Sequence, residues 1–290
     1  MIAFAFLVGM LCAACGTAQV VARDDASAQT APTPAASENG ESIGALLDRL
    51  EARGRTMRDF SASVVVEQFD ALTEEREVRR ARVVMTGGEG KKKVIGIMVD
   101  EVIDASGRGA VDGRRFLFEN GWLIELDAAR KQAVKRQLVR AGESFDPLRL
   151  GEGPFIVPLG QPRASVEREF VASVASLPEH GFFKSLRSAE GGLRTLHLVP
   201  REGTEAHRSM RSVTLVFDGV TLAPRGVEVI KPNGDTERVL LRESVIDGGI
   251  DAKQAEVITL PDMTGWRVDE RPLAREVDAA PAQLPREPRG

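Results

Sequence analysis

The chain has 290 residues, with 39 basic and 43 acidic side chains and a formal net charge of −4 at neutral pH. This slightly acidic balance argues against nucleic-acid binding, which a basic excess would indicate. The only two cysteines, Cys12 and Cys15, lie near the start, so the body of the chain can form no internal disulfide.

Residues 1–18 have the pattern of a secretory signal peptide. An uncharged apolar run from Ile2 to Leu11 is followed by small residues. The run is too short for a confident membrane span. We therefore predict that the protein is exported and works in the periplasm.

The leader contains the patterns of two different cleavage sites, and both are kept as alternatives. Gly16–Ala18, directly before Gln19, fits the small-x-small site of ordinary signal peptidase. Leu11–Cys15 instead resembles a bacterial lipobox, in which Cys15 would be acylated and would tether the protein to a membrane. A retained anchor helix is a third, weaker alternative.

Both ends of the chain have the composition of flexible segments. Residues 19–41 are rich in alanine, serine, threonine, proline and acidic side chains, and proline recurs through residues 270–290. Such compositions bury too little apolar surface to offset the entropy of the chain. We predict a linker over 19–41, one folded domain over 42–269, and a disordered proline-rich tail over 270–290.

The folded region begins with one amphipathic helix. Ser42 is a suitable N-cap, and Ile43, Leu46, Leu47 and Leu50 recur at helical spacing, with charged side chains on the opposite face.

A long succession of strand-like segments follows this helix. Their alternation of apolar and polar residues is typical of strands with one buried face. Asn120-Gly121, Asp218-Gly219 and Lys231–Asp235 are strong turn signals, so we predict an antiparallel meander. The predicted strands are Ser61–Phe69, Arg76–Thr86, Val94–Val99, Arg114–Glu119, Trp122–Asp127, Gln132–Val139, Leu193–Pro200, Arg211–Phe217, Gly226–Ile230 and Glu237–Ser244.

The region over residues 142–178 differs from both strand series. It is apolar but dense in glycine and proline, so no long regular element is expected there. We expect it to plug a core or to lie over one as a movable lid, followed by a short helix at Ala164–Phe170.

The order of these segments resembles a known family. It includes the strand start Phe60–Val64, the hairpin Phe116–Ile124, the apolar region, Leu196–Pro200, Val213–Asp218, Leu222–Val229, Ile250–Ala252, Leu260-Pro261 and Gly265-Trp266. This order looks like the periplasmic lipoprotein carrier LolA and the outer-membrane lipoprotein-sorting proteins, over about Ser42 to Val268. The family's Arg-Pro pair has no counterpart in residues 85–94, so we assign no lid-locking arginine from it.

The resemblance implies a mainly β (α+β) fold: an incomplete, curved antiparallel β-barrel with an N-terminal helix and a helical or irregular lid over an apolar cavity. For any single apolar residue, ordinary core packing is the simpler interpretation, and only the whole set on a half-barrel favours a cavity. The residues expected to line it are Leu46, Leu47, Leu50, Met57, Phe60, Val64, Val66, Phe116, Phe118, Trp122, Ile124, Leu148, Phe155, Ile156 and Phe170.

No enzymatic pattern stands out. His180, His197 and His207 lack the spacing of metal ligands, and no Gly-x-Ser-x-Gly sequence is present. The basic run Lys91–Lys93 is interpreted as a solvated hairpin tip, because it lacks the features of a phosphate-binding loop. We therefore expect a protein without catalytic activity, metal or cofactor.

The predicted function is that of a periplasmic carrier or chaperone. It would bind acyl chains of lipoproteins or lipids for outer-membrane sorting, as a monomer, between an inner-membrane donor and an outer-membrane acceptor. The alternative is a non-enzymatic envelope sensor or scaffold module that binds another protein through an open sheet edge.

Overall fold

The computed structural model describes residues 41–87, 93–140, 160–186 and 192–273. The predicted signal peptide with Cys15, almost all of the linker, and residues 274–290 of the predicted tail lie outside the described residues. The same holds for Lys91, Lys92 and three of the predicted cavity residues, Leu148, Phe155 and Ile156.

The described residues form five helical segments and a set of strands. The helices are α1 (Ile43–Thr56), α2 (Arg163–Glu169), a 3₁₀ helix (Gly181–Leu186), α3 (Glu205–Ser209) and α4 (Ala252–Ile258). The strands are β1 (Asp59–Phe69), β2 (Arg76–Thr86), β3 (Val94–Ile103), β4 (Gly109–Val111), β5 (Arg115–Glu119), β6 (Trp122–Asp127), β7 (Gln132–Gln137), β8 (Phe170–Val174), β9 (Leu193–Pro200), β10 (Ser212–Asp218), β11 (Pro224–Ile230), β12 (Thr236–Ile246) and β13 (Arg267–Arg271).

All described strands belong to one curved, open sheet, which confirms the predicted fold class. Its order is β13-β7-β6-β5-β3-β2-β1-β12-β11-β10-β9-β8, with β4 paired to β3. Every pairing is antiparallel except that of β13 with β7, which is parallel. The sheet therefore ends in two edges, β13 and β8.

The two faces of the sheet carry different helices. Paired residues in neighbouring strands share a face, so each cross-strand row can be followed through the sheet. The face that we call the α1 face contains the row Leu123, Phe118, Ile95, Met85 and Phe60. The face that we call the α4 face contains the row Ile124, Leu117, Gly96, Val84 and Ser61.

The main core lies on the α1 face, beneath α1. Ser42 Oγ accepts a hydrogen bond from Ala45 N at 3.2 Å and so caps the predicted helix. Leu46 and Leu47 are 3% and 4% exposed and pack with apolar residues of β1, β2, β3 and β8 to β12.

Several local predictions agree closely with the structure. Strands β2, β6 and β9 have the predicted bounds, and helix α2 differs from the predicted short helix by one residue at each end. Asn120 and Gly121 both have positive φ, at 52° and 78°, as the turn between β5 and β6 requires.

Other elements were not predicted from the sequence. These are β4, β8, β13, α3, α4 and the 3₁₀ helix. Strand β13 also continues to Arg271, two residues beyond the predicted domain end at 269. Within the described ranges, no helix combines the length and the apolar composition that a membrane span needs.

Candidate functional site beneath helices α1 and α2

A narrow apolar cleft, which we call the α1–α2 cleft, lies between two helices and the α1 face of the sheet. It has about 20 Å³ of free volume, which is room for about one water molecule. Its lining consists of Leu47, Leu50, Gly160, Gln161, Val166, Leu196, Leu198, Leu215 and Phe217. The site is therefore a narrow gap between helices α1 and α2 and strands β9 and β10.

Asp247 fixes the end of α1 to the sheet. Its Oδ1 accepts a hydrogen bond from Arg58 N at 2.7 Å, and its Oδ2 lies 3.1 Å from Arg53 Nη1. Desolvation would raise the pKa of Asp247, but the Arg58 N–H and the charges of Arg53 and Arg58 outweigh it, so the pKa is lowered. The C-terminal end of α1 is thus the firmly attached end.

Arg163, at the start of α2, joins α2 to α1. Its Nη1 donates to Asp48 Oδ2 at 2.9 Å, and its backbone N–H donates to Glu51 Oε2 at 2.7 Å. The guanidinium lies directly over Gly44, where a Cβ would be 2.7 Å from Nη2. We call this set of contacts the Arg163 bridge.

The Arg163 bridge stabilises the ionised form of its carboxylate partner Glu51, and its side chains are partly exposed to solvent. The hydrogen bond from Arg163 N is the main cause that lowers the pKa of Glu51. The side chains of Arg163 and Asp48 are 38% and 58% exposed, so their ion pair contributes little to global stability. The two helices that cover the cleft are therefore joined by contacts that water can replace.

Most of the described predicted cavity residues do lie together on the α1 face. Leu46, Leu47, Met57, Phe60, Val64, Phe118 and Phe170 are buried in its main core, with Leu50 and Val66 packed against it. Phe116 packs with Val99 and Leu123 in a smaller cluster on the same face. They contact one another closely, and the free volume among the described residues at the cleft is small.

Two of the predicted cavity residues lie on the opposite face of the sheet, away from the α1–α2 cleft. Trp122 and Ile124 are on the α4 face, where they pack with Leu117, Leu126 and the segment around Trp266. The sequence showed their apolar character, but β6 has buried residues on both faces, so alternation could not assign them to one side.

The lining residues that the sequence analysis missed come mainly from β9 and β10. Leu196 lies between Thr195 and His197, and Leu215 and Phe217 share a face with Val213, opposite Ser212, Thr214 and Asp218. That alternation predicted the strands and their apolar face. The position of this face beneath α1 depends on the pairing of β1 with β12, two strands that lie far apart in the sequence.

Charged side chains on the α4 face form a row that has a structural role. Arg238 donates to Glu228 at 2.7 Å and to Glu67 at 2.8 Å, and His180 Nε2 lies 2.7 Å from Glu228 Oε2. Glu67 and Glu228 are buried, at 6% and 8% exposure, so each needs such a partner. In the described part of the chain, no group of three or more metal-binding side chains is placed to hold a metal ion.

Comparison with known proteins gives likenesses only at the level of structure. No family model matches the chain, and no curated protein matches it. A putative outer membrane lipoprotein-sorting protein domain from Vibrio parahaemolyticus is 12% identical, with a TM-score of 0.35, covering 72% of this chain and 94% of that one. A LolA superfamily protein from Nitrosomonas europaea is 12% identical, with a TM-score of 0.30, covering 74% and 97%.

A third similar structure is that of a complex. MucB, solved with the periplasmic part of MucA, is 11% identical, with a TM-score of 0.40, covering 75% of this chain and 59% of that one. The family named from the sequence thus recurs among the similar structures. At these identities and scores, the likeness carries no argument about function.

Replacing Arg163 by alanine is expected to speed the uptake of an apolar fluorophore several-fold with little change in melting temperature. The reason is that the Arg163 bridge joins α2 to α1 beside the cleft, and its ion pair with Asp48 is partly exposed to water. Stopped-flow fluorescence measures the uptake rate. Arg168→Ala is the matched control, because Arg168 lies on the same helix and pairs with the adjacent Glu169. Equal rates for the two variants would contradict the role assigned to Arg163.

Proposed function

We propose that this protein is a non-enzymatic carrier of acyl chains in the bacterial envelope. The acyl chain of a lipoprotein or lipid would lie on the α1 face, in a space opened between α1, α2 and strands β9 and β10. An inner-membrane donor would deliver the chain, and an outer-membrane acceptor would receive it.

The observation that carries this proposal is a difference between two sets of contacts made by α1 and α2. The contacts with the sheet are apolar, and the contacts between the two helices are charged. Toward the sheet, α1 and α2 present Leu47, Leu50 and Val166, whereas their mutual contacts are the charged groups of the Arg163 bridge. An acyl chain could replace the apolar contacts at little cost, because each buried methylene contributes about 0.8 kcal/mol. Water could replace the polar contacts.

The small volume of the cleft sets a condition on the mechanism. The volume of about 20 Å³ among the described lining residues is too small for an acyl chain, so this proposal needs the cleft to widen. The end of α1 is attached through Asp247, and the Arg163 bridge is exposed. We therefore propose that α2 is the part of the cover that moves, as a lid does in gated binding sites.

Export and tethering belong to the same proposal. We propose that the leader directs the chain to the periplasm and that Cys15 is either removed with it or acylated. Mass spectrometry of the mature amino terminus distinguishes these fates. An acylated Cys15 would favour a tethered acceptor, and a terminus at Gln19 would favour a diffusing carrier.

Native mass spectrometry of the protein purified from its own envelope tests the carrier function. A co-purifying lipid or acylated peptide supports it. A clean mass without ligand, together with a bound protein, supports the alternative of a sensor or scaffold module.

Leu50→Glu is expected to abolish saturable binding of an apolar fluorophore. Leu50 lines the cleft and is only partly buried, so the variant can fold while it places a charge at the site. Leu72→Glu is the matched control, because Leu72 is 92% exposed at the turn between β1 and β2. Fluorescence titration measures both, and circular dichroism checks the fold. If Leu50→Glu is folded and still binds the fluorophore like the control, the proposed site is wrong.

A further inference from the structure

The two edges of the sheet are protected very differently. Edge strand β13 has the sequence Arg-Val-Asp-Glu-Arg, and charged side chains of this kind discourage pairing with another strand. The opposite edge strand, β8, has the sequence Phe-Val-Ala-Ser-Val, with neither charge nor proline. Strand β8 therefore lacks the charged side chains and proline that often block strand addition.

The backbone groups that β8 presents at this edge follow from its pairing with β9. Ala175 N donates to Thr195 O at 3.1 Å, and Arg201 N donates to Glu169 O at 2.8 Å. Along an antiparallel strand, the backbone N–H and C=O groups of successive residues point alternately to one neighbouring strand and to the other. The backbone groups of Val171 and Ser173 therefore also point toward β9.

The groups of Phe170, Ala172 and Val174 consequently point outward. Phe170 N–H already donates to Val166 O at the end of α2. In the residues that the structure describes, the N–H and C=O of Ala172 and Val174 have no strand beyond them. Together with the Phe170 C=O, they form a short open ladder.

An apolar strip lies beside this ladder on the α4 face. Val171 and Val199 are cross-strand partners and are 51% and 44% exposed. A strand added beside β8 would lie about 5 Å from β8, so one of its apolar side chains could pack directly against Val171, while Val199 lies one strand further in. Open backbone groups and an adjacent apolar strip are the two features by which a sheet edge binds an extended peptide.

We propose that β8 binds an extended, uncharged segment of a partner protein, which adds to the sheet as a further strand and packs an apolar side chain against Val171. A second copy of this chain is a poorer occupant. Its pairing through β8 would be limited to a five-residue strand, whereas stable interfaces bury roughly 1,200 Å² or more. An extended segment can continue past both ends of β8. This interaction does not depend on acyl-chain binding.

The test uses a fluorescein-labelled synthetic peptide of alternating threonine and valine. N-methylation along one edge prevents the peptide from pairing with itself while the other edge stays free. The control peptide is N-methylated along both edges. Fluorescence anisotropy of the full-length protein should show saturable binding of the first peptide and none of the second. Hydrogen exchange should slow at the amides of Ala172 and Val174.

Three variants locate the interaction. Ala172→Pro removes an outward N–H and leaves the pairing with β9, and Val171→Lys places a charge on the strip. Each should weaken binding at least about tenfold, which corresponds to about one lost backbone hydrogen bond. Val220→Lys makes the same change at a distant exposed valine, 70% exposed at the turn between β10 and β11, and should bind like the unmodified protein.

The alternative outcomes would overturn the proposal. These are no binding by the unmodified protein, equal binding by all three folded variants, or protection of amides elsewhere in the sheet. A stable dimer that Ala172→Pro dissociates would overturn it as well, because a second copy would then be the occupant of β8. Thermal denaturation of each variant shows that the protein measured is folded.

Discussion

Phe183→Ala is expected to lower the free energy of unfolding by about 3–5 kcal/mol, the usual cost of removing a fully buried phenylalanine. Phe183 is 0% exposed and packs with Leu186, Val216 and Leu240 on the α4 face. Its ring occupies the space left by Gly226, where a Cβ would lie 2.9 Å from Phe183 Cε1. Urea denaturation measures the loss.

Phe182→Ala is the matched control for this prediction. Phe182 lies next to Phe183 in the 3₁₀ helix, and their ring centroids are 5.2 Å apart, but Phe182 is only partly buried. The control should therefore lose clearly less stability. Similar losses for both variants would mean that the 3₁₀ helix does not cap the sheet through Phe183. Below its melting temperature, Phe183→Ala should still bind the apolar fluorophore, because the α1–α2 cleft is on the opposite face.

Glu237→Gln is expected to stabilise the protein by up to about 3 kcal/mol near pH 8 and to have little effect near pH 5. Burial raises the pKa of Glu237 to about 7, against the opposing charges of Lys231 and Arg79. The carboxyl lies on β12 opposite Gln68, at the polar end of the α1 face. The figure is an upper bound, because the side chain is partly exposed.

The sign of this effect follows from linkage. The folded chain binds the Glu237 proton more tightly than the unfolded chain, so this stabilisation is complete below the ordinary pKa of 4.5 and is lost as pH rises through about 7. Asp247 and Glu51 act in the opposite direction: their lowered pKa values contribute stability that is lost in acid. The effect of Glu237 should therefore be visible between about pH 5 and about pH 8.

Thermal denaturation across this pH range measures the effect, with the exposed Glu202→Gln as control. The native chain should lose stability as pH rises from about 5 to about 8, and Glu237→Gln should lose less. Parallel pH profiles for Glu237→Gln and the control would show that the pKa of Glu237 is not raised in the folded chain.

The local architecture of this protein could be predicted from its sequence. Ser42 and the apolar spacing after it predicted α1, and Asn120-Gly121 predicted the turn between β5 and β6. The strand predicted over Arg76–Thr86 has the bounds of β2. These features depend on capping, turn conformation and side-chain periodicity, each of which acts within a few residues.

Only the tertiary structure decided what these elements enclose. It placed Trp122 and Ile124 on the α4 face, made β8 an edge, and brought Arg163 against Asp48. Among the described residues, it left about 20 Å³ of free volume in the α1–α2 cleft. Each of these results depends on contacts between residues far apart in the chain, such as the pairing of β1 with β12. Local periodicity shows that a strand has an apolar face, but long-range packing determines what that face contacts.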